Sequence, residues 1–179
     1  MDLRLVVWLL WLFEQGRPRR SLPAILTFIA NQHFSQIEGV IDSVLVVCGL
    51  GSRSVRGSRF SAWLRKTSPE VRRLGAVCVG AFLLAEAGLL DGRRATAHWR
   101  FGRELATRYP RVRVEHEPLW VRDGNIYTCA GIAAGIDLAL AWVEEDCGAA
   151  LAHDAARELV LFLRGPAGQP QVSVSLAAQ

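Results

Sequence analysis

Ala76-Val77-Cys78-Val79-Gly80, continued by Ala81-Phe82-Leu83-Leu84-Ala85-Glu86-Ala87-Gly88, is the stretch on which the fold turns. Its first five residues have the form small-x-nucleophile-x-small. A residue presented on a sharp strand-to-helix turn needs small neighbours, because bulky ones clash with the adjoining strand and helix. Ala76 and Val77 end a brief strand. Gly80 to Leu90 then carries Phe82, Leu83, Leu84, Ala87 and Leu90, a helix that Asp91-Gly92 closes. This places Cys78 at a helix N-terminus, where the macrodipole and free backbone N–H groups favour thiolate. A small buried cysteine at a tight turn fits the same five residues, and the pattern alone does not separate the two.

Working outward, strand-like and helix-like segments alternate from Asp42 onward, which predicts a mostly parallel sheet covered by helices. Ser43 to Cys48 is a β-branched run ended by Gly49-Leu50-Gly51. Phe60 to Arg73 reads as a helix interrupted near Ser68-Pro69. Arg94 to Ala97 is short and extended, and Trp99 to Tyr109 is helical with Pro110 beyond it. Val112, Val114, Leu119, Val121, Ile126 and Tyr127 alternate along strands around an Asp123-Gly124 hairpin. Ile132 to Asp146 is a long apolar helix capped by Gly148, and a last helix runs from Ala149 to Leu163. Residues 1–40 form an N-terminal segment of their own. Within it Leu3 to Phe13 reads as a buried strand and Leu22 to Ala30 as an amphipathic helix. Residues 41–165 make the α/β domain, and 166–179, small and polar, begin a linker.

Composition narrows the function. The chain has 179 residues, 51% of them hydrophobic, and a mean hydropathy of +0.20, which suits one domain with a real core. Leu3 to Phe13 is about half of what a bilayer-spanning helix needs, so no membrane association is expected. The charged stretch from Glu14 to Arg20 lacks a signal-peptide cleavage pattern, which predicts a cytoplasmic protein. Cys48, Cys78, Cys129 and Cys147 contain no C-x-x-C pair and no zinc spacing, so free thiols, no metal and no cofactor are expected. The net charge is +4, carried almost wholly by arginine, with Lys66 the only lysine. No aromatic interleaving or helix-turn-helix pattern accompanies it, and the basic residues read as a solvated face.

His98 follows Cys78 at the end of the next short strand. Strand C-termini of a parallel sheet gather along one edge, where ligands bind, so His98 is the candidate base or hydrogen-bond partner of the thiol. A polar residue at a strand end beside Trp99 is the plainer reading. His33, His116 and His153 have no such placement.

Val77-Cys78-Val79-Gly80-Ala81-Phe82 through Asp91-Gly92, then Ala95-Thr96-Ala97-His98-Trp99, resembles the elbow region of the ThiJ/PfpI superfamily. Tyr127-Thr128-Cys129-Ala130-Gly131, Ala134 to Leu140 and Ala156 to Val160 continue the likeness. Within that superfamily the combination looks most like the N-terminal domain of GlxA-like, AraC-type transcription regulators. The resemblance spans roughly Ile41 to Gln169. It implies a flavodoxin-like, glutamine-amidotransferase-like α/β fold with a cysteine elbow. It also implies a sensor of an unknown small-molecule ligand, a homodimer, and DNA binding only through a C-terminal helix-turn-helix domain that this chain does not include. The alternative it implies is a cysteine-dependent hydrolase, hydratase or amidase.

By resemblance, the catalytic set is Cys78, His98 and, standing in for the acid of the first strand-to-helix connection, Glu14. The binding pocket is Cys78, Val79, Gly49, Leu50, His98 and Cys129. Three departures weigh against catalysis. Cys48-Gly49-Leu50 replaces the usual Pro-Gly-Gly of the oxyanion loop. Val79 replaces a threonine common in these regulators. The N-terminal segment is shorter than the family's by about a strand and a hairpin.

Overall fold

The computed structural model describes residues 5–10, 34, 40–54, 56–161 and 164–172, with the backbone alone for 5–10. Its main sheet has the strand order β1-β2-β3-β7-β6. β1 (Leu5–Leu10), β2 (Ser43–Cys48), β3 (Arg73–Val77) and β7 (Ile126–Cys129) run parallel, and β6 (Trp120–Asp123) pairs antiparallel with β7. The expected mostly parallel α/β architecture is the one observed.

β2 has apolar residues on both faces because it is covered on both. Val44 and Val46 pack with Phe60, Leu64, Phe82 and Leu84, which come from α1 (Arg59–Thr67) and α2 (Ala81–Glu86). Leu45 faces the other way, onto Tyr127, Leu138 and Trp142, the last two from α4 (Ile132–Cys147). Gly75 in β3 is required by this second layer: a Cβ there would lie 2.9 Å from the Trp142 ring and 2.5 Å from Leu45 Cδ1.

Local chemistry sets the element ends. Ser58 Oγ accepts from Ser61 N–H at 3.0 Å to cap α1, and Pro69 blocks its extension. The hairpin between β6 and β7 turns on Gly124 at φ 65°. α2 stops at Glu86, short of the expected Leu90, because the chain bends away through Gly88 at φ 74°. α5 (Ala149–Glu158) likewise ends before Leu163, with Val160 at φ 55°.

Two further expectations are corrected. Arg73 opens a strand instead of closing a helix. Its guanidinium is nearly buried, bonded to Glu145 and Asp146 at 2.7 Å each, and Arg72 ties Asp146 to Asp42. Arg72 foremost, then Arg73, holds the Asp146 carboxyl well below the usual carboxylate range. β4 (Arg94–Ala95) is not in the main sheet; it pairs parallel with β5 (Arg113–Val114) as a separate ribbon. β1 lies within the Leu3 to Phe13 stretch read as a strand, whereas Leu22 to Ala30 and Glu14 lie outside the described residues. Among the described residues no helix is long and apolar enough to cross a membrane.

Candidate functional site

The C-terminal ends of β2, β3 and β7 meet along one sheet edge, and each delivers a cysteine. β2 ends on Cys48, β3 leads into Cys78, and β7 ends on Cys129, which pairs in register with Val77. Cys78 is strained at φ 58° and opens a 3-10 turn, Cys78–Gly80, that runs into α2. Small flanking residues are needed for a measurable reason: a Cβ at Gly80 would stand 2.6 Å from the backbone oxygen of Val46.

The three thiols are buried to different degrees. Cys129 is fully buried, and burial pushes its thiol up to about 12. Cys48 is likewise pushed up to about 11, chiefly by burial, although Ser52 Oγ sits 3.1 Å from its sulfur. Cys78 is half-buried. Burial raises its thiol above the ordinary value, and the Val79 backbone N–H only partly offsets this. The expected lowering by a helix N-terminus is therefore reversed. A helix of six residues behind a 3-10 turn has few aligned peptides to oppose desolvation.

His98 reaches the same edge by a route other than the one expected. Thr96, buried just before it, donates its N–H to Thr128 Oγ1 at 2.8 Å, which docks the end of the β4 ribbon against β7. His98 Nδ1 accepts the Arg100 N–H at 3.2 Å, leaving Nε2 to carry the proton, and the ring stacks on Trp99 with centroids 5.6 Å apart. Burial first, and Arg100 second, lower its pKa, so the imidazole is neutral at pH 7. Among the described residues, no hydrogen bond joins Cys78 Sγ to His98.

These residues line one cleft of about 500 Å³. Cys78 and His98 share it with Leu50, Trp99, Arg100, Phe101 and Leu119, with residues 130–134 leading into α4, and with Gln171. Its rim is open and mostly apolar, with Leu50 58% exposed, Trp99 57% and Ile132 81%, and it carries one exposed cation, Arg100. The 3-10 turn carrying Leu50 (Leu50–Ser54) is fixed by Arg53, whose guanidinium lies 4.1 Å above the Phe101 ring and pairs with Glu104.

Of the pocket set read from sequence, the structure brings Leu50, Cys78 and His98 together in this cleft. Gly49, Val79 and Cys129 are not among its lining residues: Val79 is turned into the core beside Val46, and Cys129 lies beneath. Trp99, Phe101 and Gln171 were not anticipated. Trp99 and Phe101 flank His98 in sequence and were legible from that neighbourhood, whereas Gln171 gave no signal.

Residues 23–145 match the model of the DJ-1/PfpI family. The chain is 38% identical over 120 residues to the HTH-type transcriptional regulator CdhR of Pseudomonas aeruginosa, covering 67% of this chain and 35% of that protein. It is 36% identical over 110 residues to isonitrile hydratase of Pseudomonas putida, covering 61% of this chain and 47% of that protein. The match thus spans between a third and a half of those relatives. Among solved structures, a ThiJ/PfpI family protein from Pseudomonas syringae superposes with a TM-score of 0.64 at 26% identity, covering 74% of this chain and 55% of that one. An AraC family transcriptional regulator from Pseudomonas putida superposes with a TM-score of 0.56 at 23% identity, covering 66% of this chain and 63% of that one; at this identity it speaks to fold alone.

Proposed function

Because this chain belongs to the DJ-1/PfpI family, we propose that it is the ligand-sensing part of an AraC-type transcription regulator. The reading is carried by the cleft: an open, largely apolar site in which thiol and imidazole are both held neutral. A cysteine nucleophile needs its proton taken by a base, and although neutral imidazole is the form that can take it, among the described residues no hydrogen bond joins Cys78 to His98. Similarity to transcriptional regulators, CdhR and GlxA among them, supports the same reading. In it, residues 41–165 sense a small molecule of apolar body, residues 166–179 begin the connection to a helix-turn-helix domain, and the protein works as a cytoplasmic homodimer. Glu14, read as the acid of a catalytic set, belongs to the second reading instead. The ligand shifts the regulator only so far as it binds two of its states with different affinity.

The second reading, a cysteine-dependent hydratase, is favoured by the likeness to isonitrile hydratase and by the strained φ of Cys78. One experiment separates the two. The chain is screened by thermal shift against small molecules and assayed with isonitriles, amides and glyoxals, as wild type and as Cys78→Ser. A ligand at a hundredfold its Kd stabilises by about 2.7 kcal/mol, a rise of roughly 5–10 °C. Sensing predicts such a rise with no turnover. Turnover that disappears in Cys78→Ser would establish the hydratase instead.

A further inference from the structure

The segment 164–172 is docked on the domain and places one residue, Gln171, in the wall of the cleft. Gly165 N–H donates to Asp137 Oδ1 at 2.8 Å. The chain then runs against residues 117–120: Leu119 N–H donates to Gln169 O, Gln171 N–H donates to Glu117 O, each at 2.8 Å, and Pro118 pairs antiparallel with Pro170. From there the Gln171 side chain reaches the wall behind His98. Its Nε2 lies 3.0 Å from Ala97 O and 3.1 Å from each of Thr96 Oγ1, His116 O and Pro118 O. An amide nitrogen has two hydrogens, so four acceptors compete for two donors. Its Oε1, by contrast, is buried and, within the described residues, without a hydrogen-bond partner. Turning the amide over does not help, because the oxygen would then face the carbonyl oxygens of Ala97, His116 and Pro118, with only the Thr96 hydroxyl able to donate. A buried orphan acceptor is uncommon, and this one belongs to a residue that lines the same cleft as Cys78 and His98.

Resting on the reading of this cleft as a ligand site, we propose that Gln171 is a latch. A ligand that presents an N–H or O–H group in the Cys78–His98 cleft supplies the partner that Gln171 Oε1 lacks, and so holds segment 164–172 in its docked place. The crowd of acceptors around Nε2 makes this feasible. In this proposal the buried Oε1 is brought to the cleft by a rotation of the amide, and the four acceptors around Nε2 offer its two N–H groups alternative partners. Ligand binding and segment docking then strengthen each other by the same factor. The ligand class is a small molecule with an apolar body for the Leu50 and Trp99 side of the cleft and an amide, amine or hydroxyl donor for the Gln171 side.

The test uses the full chain carrying Cys147→Ser and two adducts at Cys78, each verified by peptide mass mapping. Iodoacetamide leaves a carbamidomethyl group: the thiolate displaces iodide, its proton goes to solvent, and the new side chain ends in N–H donors. With methyl methanethiosulfonate the thiolate attacks the methylthio sulfur, methanesulfinate leaves and the thiol proton goes to solvent; the resulting methylthio group fills space without a donor. Hydrogen exchange is read at the Leu119 and Gln171 amides, which the docked segment protects. The carbamidomethyl chain is expected to exchange there about fivefold or more slowly than the methylthio chain, and Gln171→Met is expected to erase the difference. Equal or faster exchange in the carbamidomethyl chain overturns the latch, as does a difference that survives Gln171→Met. The two-adduct comparison does not depend on how well that variant folds. Failure here leaves the sensing function to its own thermal-shift screen, and a cleft that binds no small molecule in that screen removes the sensing function without touching the adduct result.

Discussion

Replacing Gly80 by alanine tests whether the turn under Cys78 is as tight as the structure makes it. The new Cβ would sit 2.6 Å from Val46 O, where ordinary contact begins at 3.4 Å, so about 0.8 Å must be found by moving something. The obstacle is backbone of a central strand, which has no rotamer to change. Gly80 itself has an ordinary φ of −57°, so alanine also gains about 0.4–1 kcal/mol by restricting the unfolded chain. Overpacking costs about 1–3 kcal/mol, and the clash wins. The expected net loss is roughly 0.5–2 kcal/mol in denaturant-induced unfolding followed by circular dichroism. Gly51→Ala is the matched control. It lies in the turn that carries Leu50, has nothing within 4 Å of the added atom, and is expected to be neutral or stabilising by up to about 1 kcal/mol. A Gly80→Ala chain as stable as wild type, or more so, would refute the steric account of the small-x-cysteine-x-small pattern.

The other expectations concern thiols and carboxylates. At neutral pH a thiol probe followed by mass spectrometry should label the exposed Cys147 before Cys78, and should leave Cys48 and Cys129, raised to about 11 and 12, essentially untouched. Cys78 outpacing Cys147 would show that the turn activates the thiol more than burial suppresses it. Asp146→Asn removes the charge that Arg72 and Arg73 share and should cost about 1.5–3 kcal/mol near neutrality. Because the folded-state pKa values of Asp146 and Asp42 are lowered, the stability they contribute is present above the unfolded carboxylate value of about 4 and is lost as pH falls below it. Urea midpoints measured from neutral to acid pH should therefore fall more steeply for wild type than for Asp146→Asn, and parallel curves would contradict the assignment.

Local chemistry was readable from the chain alone. The small residues around Cys78, the β-branched Ser43 to Cys48 and the Asp123-Gly124 hairpin each act within a few residues, and their pattern specifies strand or turn without help from the rest of the molecule. The run around Cys78 also carried the family resemblance. What depended on distant partners was not readable. Arg73 is a strand residue because Glu145 and Asp146, more than seventy positions away, neutralise it in a buried place. His98 meets Cys78 from a separate ribbon because Thr96 bonds to Thr128 across the fold. The ionisation of Cys78 reversed for the same reason: a helix start is visible in sequence, but desolvation depends on what packs over the sulfur, and here it outweighs a six-residue helix. Gln171 is the extreme case. In a small, polar stretch nothing distinguishes it, and only the folded chain places its amide among four carbonyl and hydroxyl acceptors at the wall of the cleft, because hydrogen-bond partners that far apart in sequence are chosen by tertiary packing.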